Sequence, residues 1–248
     1  MWKSVPYGTI AGQKTYSTAL TMKTTAELLL TTPWFRTLTQ ELQEQVSQNI
    51  SLRAVAPDGY VCRRGEPSHC WFGVVDGLIK VCNTSSEGRV MTFAGLPPGA
   101  WFGEGTVLKG DRWHYDAIAL RASRVACLPS ALFFRLLDES IDFNRFVLEH
   151  VNERLGQLMA MVQSDRLTEP ALRVANCLLA MFNPRLYPLG KTEIPLTQEE
   201  IGYLSGITRQ KVNLAVRQME ALGLLSVSYG RVMVTDLQGL RRFAARPS

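Results

Sequence analysis

The chain has little from which to build a metal or redox centre. Its 248 residues hold five cysteines and three histidines. The cysteines (Cys62, Cys70, Cys82, Cys127 and Cys177) are odd in number and widely spaced. No Cys-x-x-Cys occurs, which excludes zinc ribbons and thioredoxin-like motifs. Iron–sulfur sites need clustered thiolates, and none are clustered. The cysteines read as reduced thiols packing as small hydrophobes. His69, His114 and His150 form no His-x-His, the pattern that metal-dependent dioxygenases on β-rolls require. Gly-x-Ser-x-Gly, a P-loop and His-Glu-x-x-His are missing too, so an enzyme is not expected. No apolar run approaches the length of a membrane-spanning helix. Residues 1–24 are rich in Thr and Ser and lack the apolar region of a secretory signal, so a flexible leader and a cytoplasmic protein are expected, with Met22 as an alternative start.

An excess of either charge is nearly absent before the last third, since residues 1–163 hold 16 Lys+Arg and 15 Asp+Glu. The whole chain carries +5. Residues 164–248 hold 11 Lys+Arg and 7 Asp+Glu, so most of the excess sits there. Such asymmetry predicts an anionic partner for that third, nucleic acid first.

The pattern along the chain changes twice. Residues 25–50 have helical spacing of Leu28, Leu29, Leu38, Leu42, Val46 and Ile50, divided by Pro33. From about residue 53, glycines recur mostly 11 residues apart, several in Asp-Gly or Pro-Gly turns. Between them lie short strand-like runs at 60–62, 70–75, 78–82, 89–93, 116–120 and 124–128. Strands with turns at that spacing indicate an antiparallel β-roll, sandwich or barrel. A short helix is expected at 131–137. A long one follows at about 140–167, with a stripe of Val147, Val151, Leu155, Leu158 and Val162. That stripe packs either on its own roll or on the same helix of a second subunit; a dimer seam is the favoured reading. The expected class is α+β: a jelly-roll-like sensor over 25–137, a dimerisation helix over 138–167, and a DNA-binding domain over 168–248.

The last third carries the most specific pattern. Thr197-Gln198-Glu199-Glu200 is a capping box that starts a helix, which Gly206 breaks. Thr208 caps a second helix with Val212, Ala215, Val216 and Met219 on one face and Arg209, Gln210, Asn213 and Arg217 on another, Lys211 beside them. Helix, glycine turn and helix at this spacing form a helix-turn-helix, whose second helix reads base edges in the major groove. Arg pairs with guanine, and Gln or Asn with adenine. Two short strands around Gly230 then read as a wing, with Tyr229 and Arg231 placed to touch phosphates. The rival reading is a dimeric ligand-sensing or protein-interaction module in which DNA binding is ligand-independent or absent. The base-reading residue types on the second helix argue against it.

This order of parts resembles the Crp/Fnr family of bacterial transcription regulators. The resemblance covers about residues 30–243. It rests on Pro57-Asp58-Gly59, Arg64-Gly65-Glu66, Gly99-Ala100-Trp101-Phe102-Gly103-Glu104, Ala119-Leu120 to Leu128-Pro129, and above all Leu196 to Gly202 with Gly206, Thr208-Arg209-Gln210 and Val212. It implies a cyclic-nucleotide-binding-like β-roll, a homodimer, a pseudo-palindromic operator and, for an activator, RNA polymerase as a partner. It places base reading at Arg209, Gln210 and Asn213 or Leu214. Leu214 stands where cyclic-AMP-responsive relatives have Arg, so a different operator is expected. The implied effector pocket comprises Gly103, Glu104, Arg112 and His114. The Arg-Ser/Thr pair that holds a cyclic phosphate in such relatives is missing, and Trp113, His114 and Tyr115 crowd its place, so cyclic-nucleotide binding is expected to be weak or absent. The N-terminal cysteine cluster of the family's iron–sulfur branch is also missing, and no axial-ligand spacing points to haem.

Overall fold

The computed structural model describes residues 24–85, 87–88, 90–165, 169–188, 193–228 and 230–246. The leader falls outside them. Three short helices come first: α1 Thr25–Thr31, α2 Pro33–Arg36 and α3 Gln40–Asn49. Pro33 begins α2 and so divides the predicted helical stretch, as its missing N–H and fixed φ allow only at a first turn. Then follow β1 Ser51–Val55, β2 Tyr60–Cys62, β3 Cys70–Asp76, β4 Ile79–Thr84, β5 Val90–Leu96, β6 Trp101–Phe102, α4 Glu104–Lys109, β7 Asp116–Ala119 and β8 Ser123–Pro129. These strands build two antiparallel sheets, ordered β1-β8-β3-β6 and β2-β7-β4-β5. The architecture is the expected α+β, and the β half is a roll.

Alternation along the strands explains why the roll is double-faced. Phe72, Val74, Val125 and Cys127 point between the two sheets and pack with Ile79, Val81 and Ala117. Trp71, Ala126 and Leu128 point the other way, onto a helical layer containing Leu28, Trp34, Phe133 and Phe143. Trp34, Trp71 and Trp101 meet at ring-centroid distances of 4.4–5.4 Å. With both faces of a sheet buried, the strands read as near-continuous apolar runs.

Helix α5 Ser130–Glu139 leads into α6 Ile141–Asp165, which spans 25 residues. The start of α6 belongs to the roll: Phe143 and Val147 are buried in the helical layer. Val147, placed on the seam from sequence, is therefore 3% exposed and packs within its own chain. Its neighbour Leu148 is the exposed residue, with Val151, Leu155, Leu158 and Val162 after it. These five positions step by 3, 4, 3 and 4, the a/d spacing of a coiled coil.

The C-terminal part comprises α7 Pro170–Ala180, β9 Glu193–Ile194, α8 Gln198–Ser205, α9 Arg209–Ala221, β10 Leu225–Ser228, β11 Arg231–Val234 and α10 Leu237–Ala244. Its sheet is ordered β10-β11-β9. Leu172, Leu178, Ile201, Val212, Val216, Met219, Val232 and Leu240 form its core. Among the described residues no helix is long and apolar enough to cross a membrane.

Candidate nucleic-acid interface and sensor pocket

The helix-turn-helix is built from local chemistry. Thr197 caps α8: its hydroxyl accepts from the Glu200 N–H at 3.2 Å, and Glu200 Oε2 accepts from the Thr197 N–H at 2.7 Å. Gly206 ends α8 at φ 67, a left-handed conformation that a side chain would strain. Gly202 lets the turn close, since a Cβ there would meet the Ile207 carbonyl oxygen at 2.9 Å. Thr208 then caps α9 through the Lys211 N–H at 3.4 Å. Helix α9 buries Val212, Ala215, Val216 and Met219, as expected. That fixes the opposite face, on which Arg209, Gln210, Lys211, Leu214 and Arg217 are exposed. Asn213 is half-buried, and its amide donates to Gln198 Oε1 at 3.1 Å, tying the two helices together.

Two wing residues fare differently. Arg231 is half-buried and bonded to Glu193 on β9 at 2.7 Å, so the Glu193 carboxylate neutralises the charge assigned to phosphate contact. Tyr229 lies outside the described residues.

Several contacts join the helix-turn-helix to the roll. Arg121, in the loop after β7, makes two bonds to Glu200, at 2.9 and 2.8 Å, and a third to the Pro195 carbonyl at 2.6 Å. Bidentate Arg–carboxylate pairs of this kind fix orientation as well as adding energy. The carboxylate of the capping box thus also holds the roll. Nearby, the Thr92 hydroxyl on β5 donates to the Tyr203 carbonyl at 2.9 Å, and Leu204 packs on Gly95, where a Cβ would meet it at 2.9 Å.

The expected effector residues are not brought together. Gly103 is the left-handed N-cap of α4, and Trp113 lies against it so closely that a Cβ would meet the ring at 2.6 Å. Glu104 is buried at the start of α4, facing α6. The Trp71 indole N–H donates to it at 3.4 Å, and His150 and Arg154 lie 3.9 and 3.8 Å away. Arg112 and His114 are exposed on the outer rim. Arg112 donates to the Gly65 carbonyl at 2.8 Å, and His114 bonds Asp111 at 2.9 Å. The bend that leads into β7 sets this: Trp113 is buried against Phe72 and Tyr115 packs on Trp113, which leaves Arg112 and His114 on the outside. Burial, reinforced by Glu104, pushes the Tyr115 phenol up.

Arg154 on α6 organises the interior that remains. It donates to the Trp101 carbonyl at 2.8 Å and to the Tyr187 hydroxyl at 3.0 Å. Burial opposes its charge, but Tyr187 and Glu104 more than offset that and hold the guanidinium pKa above its ordinary value. Gln157 also donates to the Tyr187 hydroxyl, at 3.2 Å. Tyr187 follows α7, yet it and Leu186 are each 1% exposed and packed into the inter-sheet core of the roll. Asn183, bonded to Glu153 at 2.9 Å, holds the same segment to α6. His150 donates to the Trp101 carbonyl at 3.0 Å, and burial pushes its pKa down. Sequence reasoning missed Arg121, Arg154 and Tyr187, whose partners are distant in the chain.

A cleft of about 1150 Å³ opens between the roll and the C-terminal part, lined by Met91, Phe93, Gly156, Arg173, Asn176 and Leu204 among others. None of Gly103, Glu104, Arg112 and His114 lines it. Among the described residues no three His, Cys, Asp or Glu side chains gather to hold a metal ion.

Comparison with known proteins agrees with this division. Residues 52–140 match the model of the cyclic nucleotide-binding domain, and residues 172–243 match that of the Crp-like helix-turn-helix domain. Together these matches cover more than half of the chain. The chain belongs to the Crp/Fnr family of transcription regulators. This Crp/Fnr chain is 28% identical over 187 residues to the transcriptional regulator LdrP of Thermus thermophilus, covering 73% of this chain and 90% of that one. It is 23% identical over 183 residues to the cAMP-activated global transcriptional regulator CRP of Salmonella typhimurium, covering 69% and 82%. The structure of FixK2 from Bradyrhizobium japonicum shares the fold, with a TM-score of 0.66 at 21% identity over 80% of this chain and 99% of that one. The family is one of DNA-binding regulators, not enzymes.

Proposed function

We propose that this Crp/Fnr regulator works in the bacterial cytoplasm as a homodimer that reads a pseudo-palindromic operator. Residues 25–137 form the sensor, 138–167 the dimer helix, and 168–248 the DNA-binding domain. The observation that carries the reading is the exposed polar face of α9, where Arg209, Gln210 and Arg217 project opposite a fully buried apolar face. In this reading Arg209, Gln210 and Asn213 contact base edges, while Lys211, Arg217, Thr197, Gln198, Thr208 and the wing contact the backbone. Arg231 contributes less than a free arginine, because Glu193 shares its charge. The exposed heptad Leu148, Val151, Leu155, Leu158 and Val162 supplies the seam.

The sensor is read as one that does not respond to cyclic AMP. What supports this is the commitment of Glu104 to Trp71, His150 and Arg154, with Arg112 and His114 on the outside. Tyr187 already takes the donors of Arg154 and Gln157 that a small polar ligand would need. RNA polymerase is a further partner where the operator lies upstream of a promoter. The test is selection from randomised duplexes. Enrichment of two inverted half-sites about one helical turn apart is expected. Enrichment of a single asymmetric site, or of none, would contradict the reading.

A further inference from the structure

Of the five thiols, two meet. Cys70 opens β3, and Cys127 lies in the neighbouring strand β8. In their register Cys127 stands opposite Phe72, so Cys70 is its diagonal neighbour on the same face. That face looks between the two sheets. Cys127 belongs to the inter-sheet core there and Cys70 packs against it, so the two thiols interact directly. On the far side of Cys127, β1 places Ser51 directly opposite. Arg53, two residues along, lies over the Phe72 ring at 5.4 Å, which sets a fixed positive charge beside the pair. Cys70 is half-buried, at the first residue of its strand, where solvent reaches it.

We infer that Cys70 and Cys127 form a reversible oxidation site for hydroperoxides, with Cys70 attacking and Cys127 resolving. The Cys70 thiolate attacks one peroxide oxygen. The S–O bond forms as the O–O bond breaks, hydroxide leaves, and Cys70 becomes a sulfenic acid. Cys127 sulfur then attacks Cys70 sulfur, and the sulfenic hydroxyl departs with the Cys127 proton as water. The two thiols lose two electrons, and one peroxide gains them.

The roles follow from the environment. Cys70 is the more exposed of the two, and the Cys127 thiol beside it holds its pKa below the ordinary thiol value; burial opposes this, and Arg53 supports it. The same pairing, with burial, holds Cys127 up. The attacking sulfur is the one with more thiolate character. The other cysteines lack this setting. Burial pushes Cys62 and Cys177 up to about 12 and raises Cys82 as well. The half-buried Cys70 end of the pair leaves the disulfide open to attack by a thiol reductant.

The test is peptide mass spectrometry on the full-length protein treated with hydrogen peroxide. The expected product is an intrachain Cys70–Cys127 disulfide that dithiothreitol reverses. With Cys127→Ser, a sulfenic acid on Cys70 should be trapped by dimedone. With Cys70→Ser, Cys127 should remain a thiol. Thermal melts of both variants report whether the fold is kept. If a Ser variant fails to fold, the order of labelling of the wild-type cysteines by iodoacetamide decides, and Cys70 must react first. Oxidation at Cys62, Cys82 or Cys177 before Cys70 would overturn the inference. So would a disulfide between chains on a non-reducing gel, or sulfinic acid on Cys70 beside a reduced Cys127.

Discussion

The phase of the α6 seam can be tested residue by residue, because adjacent positions should answer differently. Leu155 is 52% exposed and Leu158 43%, so about half of each side chain is left for a partner to cover. Full burial of a leucine contributes about 1.5–3 kcal/mol, so each contributes about 1 kcal/mol per subunit at the seam. Two-fold symmetry doubles the sum. Leu155→Ser with Leu158→Ser should therefore weaken the dimer by about 4 kcal/mol, roughly a thousandfold in Kd. Leu148→Ser should act in the same direction, because Leu148 is exposed. Val147→Ala should not. It is 3% exposed within its own chain, so its loss should cost about 2 kcal/mol of folding stability and leave the dimer constant alone. Sedimentation equilibrium gives the first quantity and urea unfolding the second. An unchanged dimer constant in Leu148→Ser, or a weakened dimer with unchanged stability in Val147→Ala, would refute the assignment.

Three further outcomes follow from buried polar groups. Glu200→Gln removes the charge that both caps α8 and pairs with Arg121, and should cost about 1–3 kcal/mol by urea unfolding. A loss under about 0.5 kcal/mol, the range of a featureless surface site, would deny Glu200 both roles. His150 is held below its ordinary value of 6.5 by burial, so the unfolded chain binds its proton first on acidification. Its contribution to stability is complete above that value and is lost as the pH falls toward the folded pKa. His150→Gln should flatten the decline of Tm between pH 6.5 and 5, and an unchanged slope would contradict this. Cyclic AMP should leave Tm unchanged, whereas a saturable rise would mean that Glu104 and Arg154 are free to bind it.

What could be read from sequence was what is local. The Thr197–Glu200 capping box and the left-handed Gly206 act over one turn of chain, and the predicted helix-turn-helix has them where expected. Six strands were legible because turn dipeptides bound them. β1 was not: four of its five residues are exposed, which leaves no alternation to read. Only the first position of the stripe was misplaced: α6 carries two apolar faces, Val147 lies on the buried one, and a stripe that starts at Val147 fits the spacing about as well as one that starts at Leu148. The Arg121–Glu200 bond joins residues 79 apart, and Tyr187 reaches Arg154 across 33. No local pattern reports such partners. Arg112 and His114 had suitable chemistry but stand on the outer side of the bend before β7, a matter of local chain path that composition does not carry.

The central claim is that the N-terminal end of α9 reads base edges. The direct measurement is a gel-shift series of wild type and Arg209→Ala on the selected operator and on each of its single-base variants. Arg209→Ala should lose about 1–3 kcal/mol on the operator and lose discrimination at one symmetric base position, keeping it at the others. Equal weakening on every sequence would make Arg209 a phosphate contact, and unchanged binding would remove α9 from the interface.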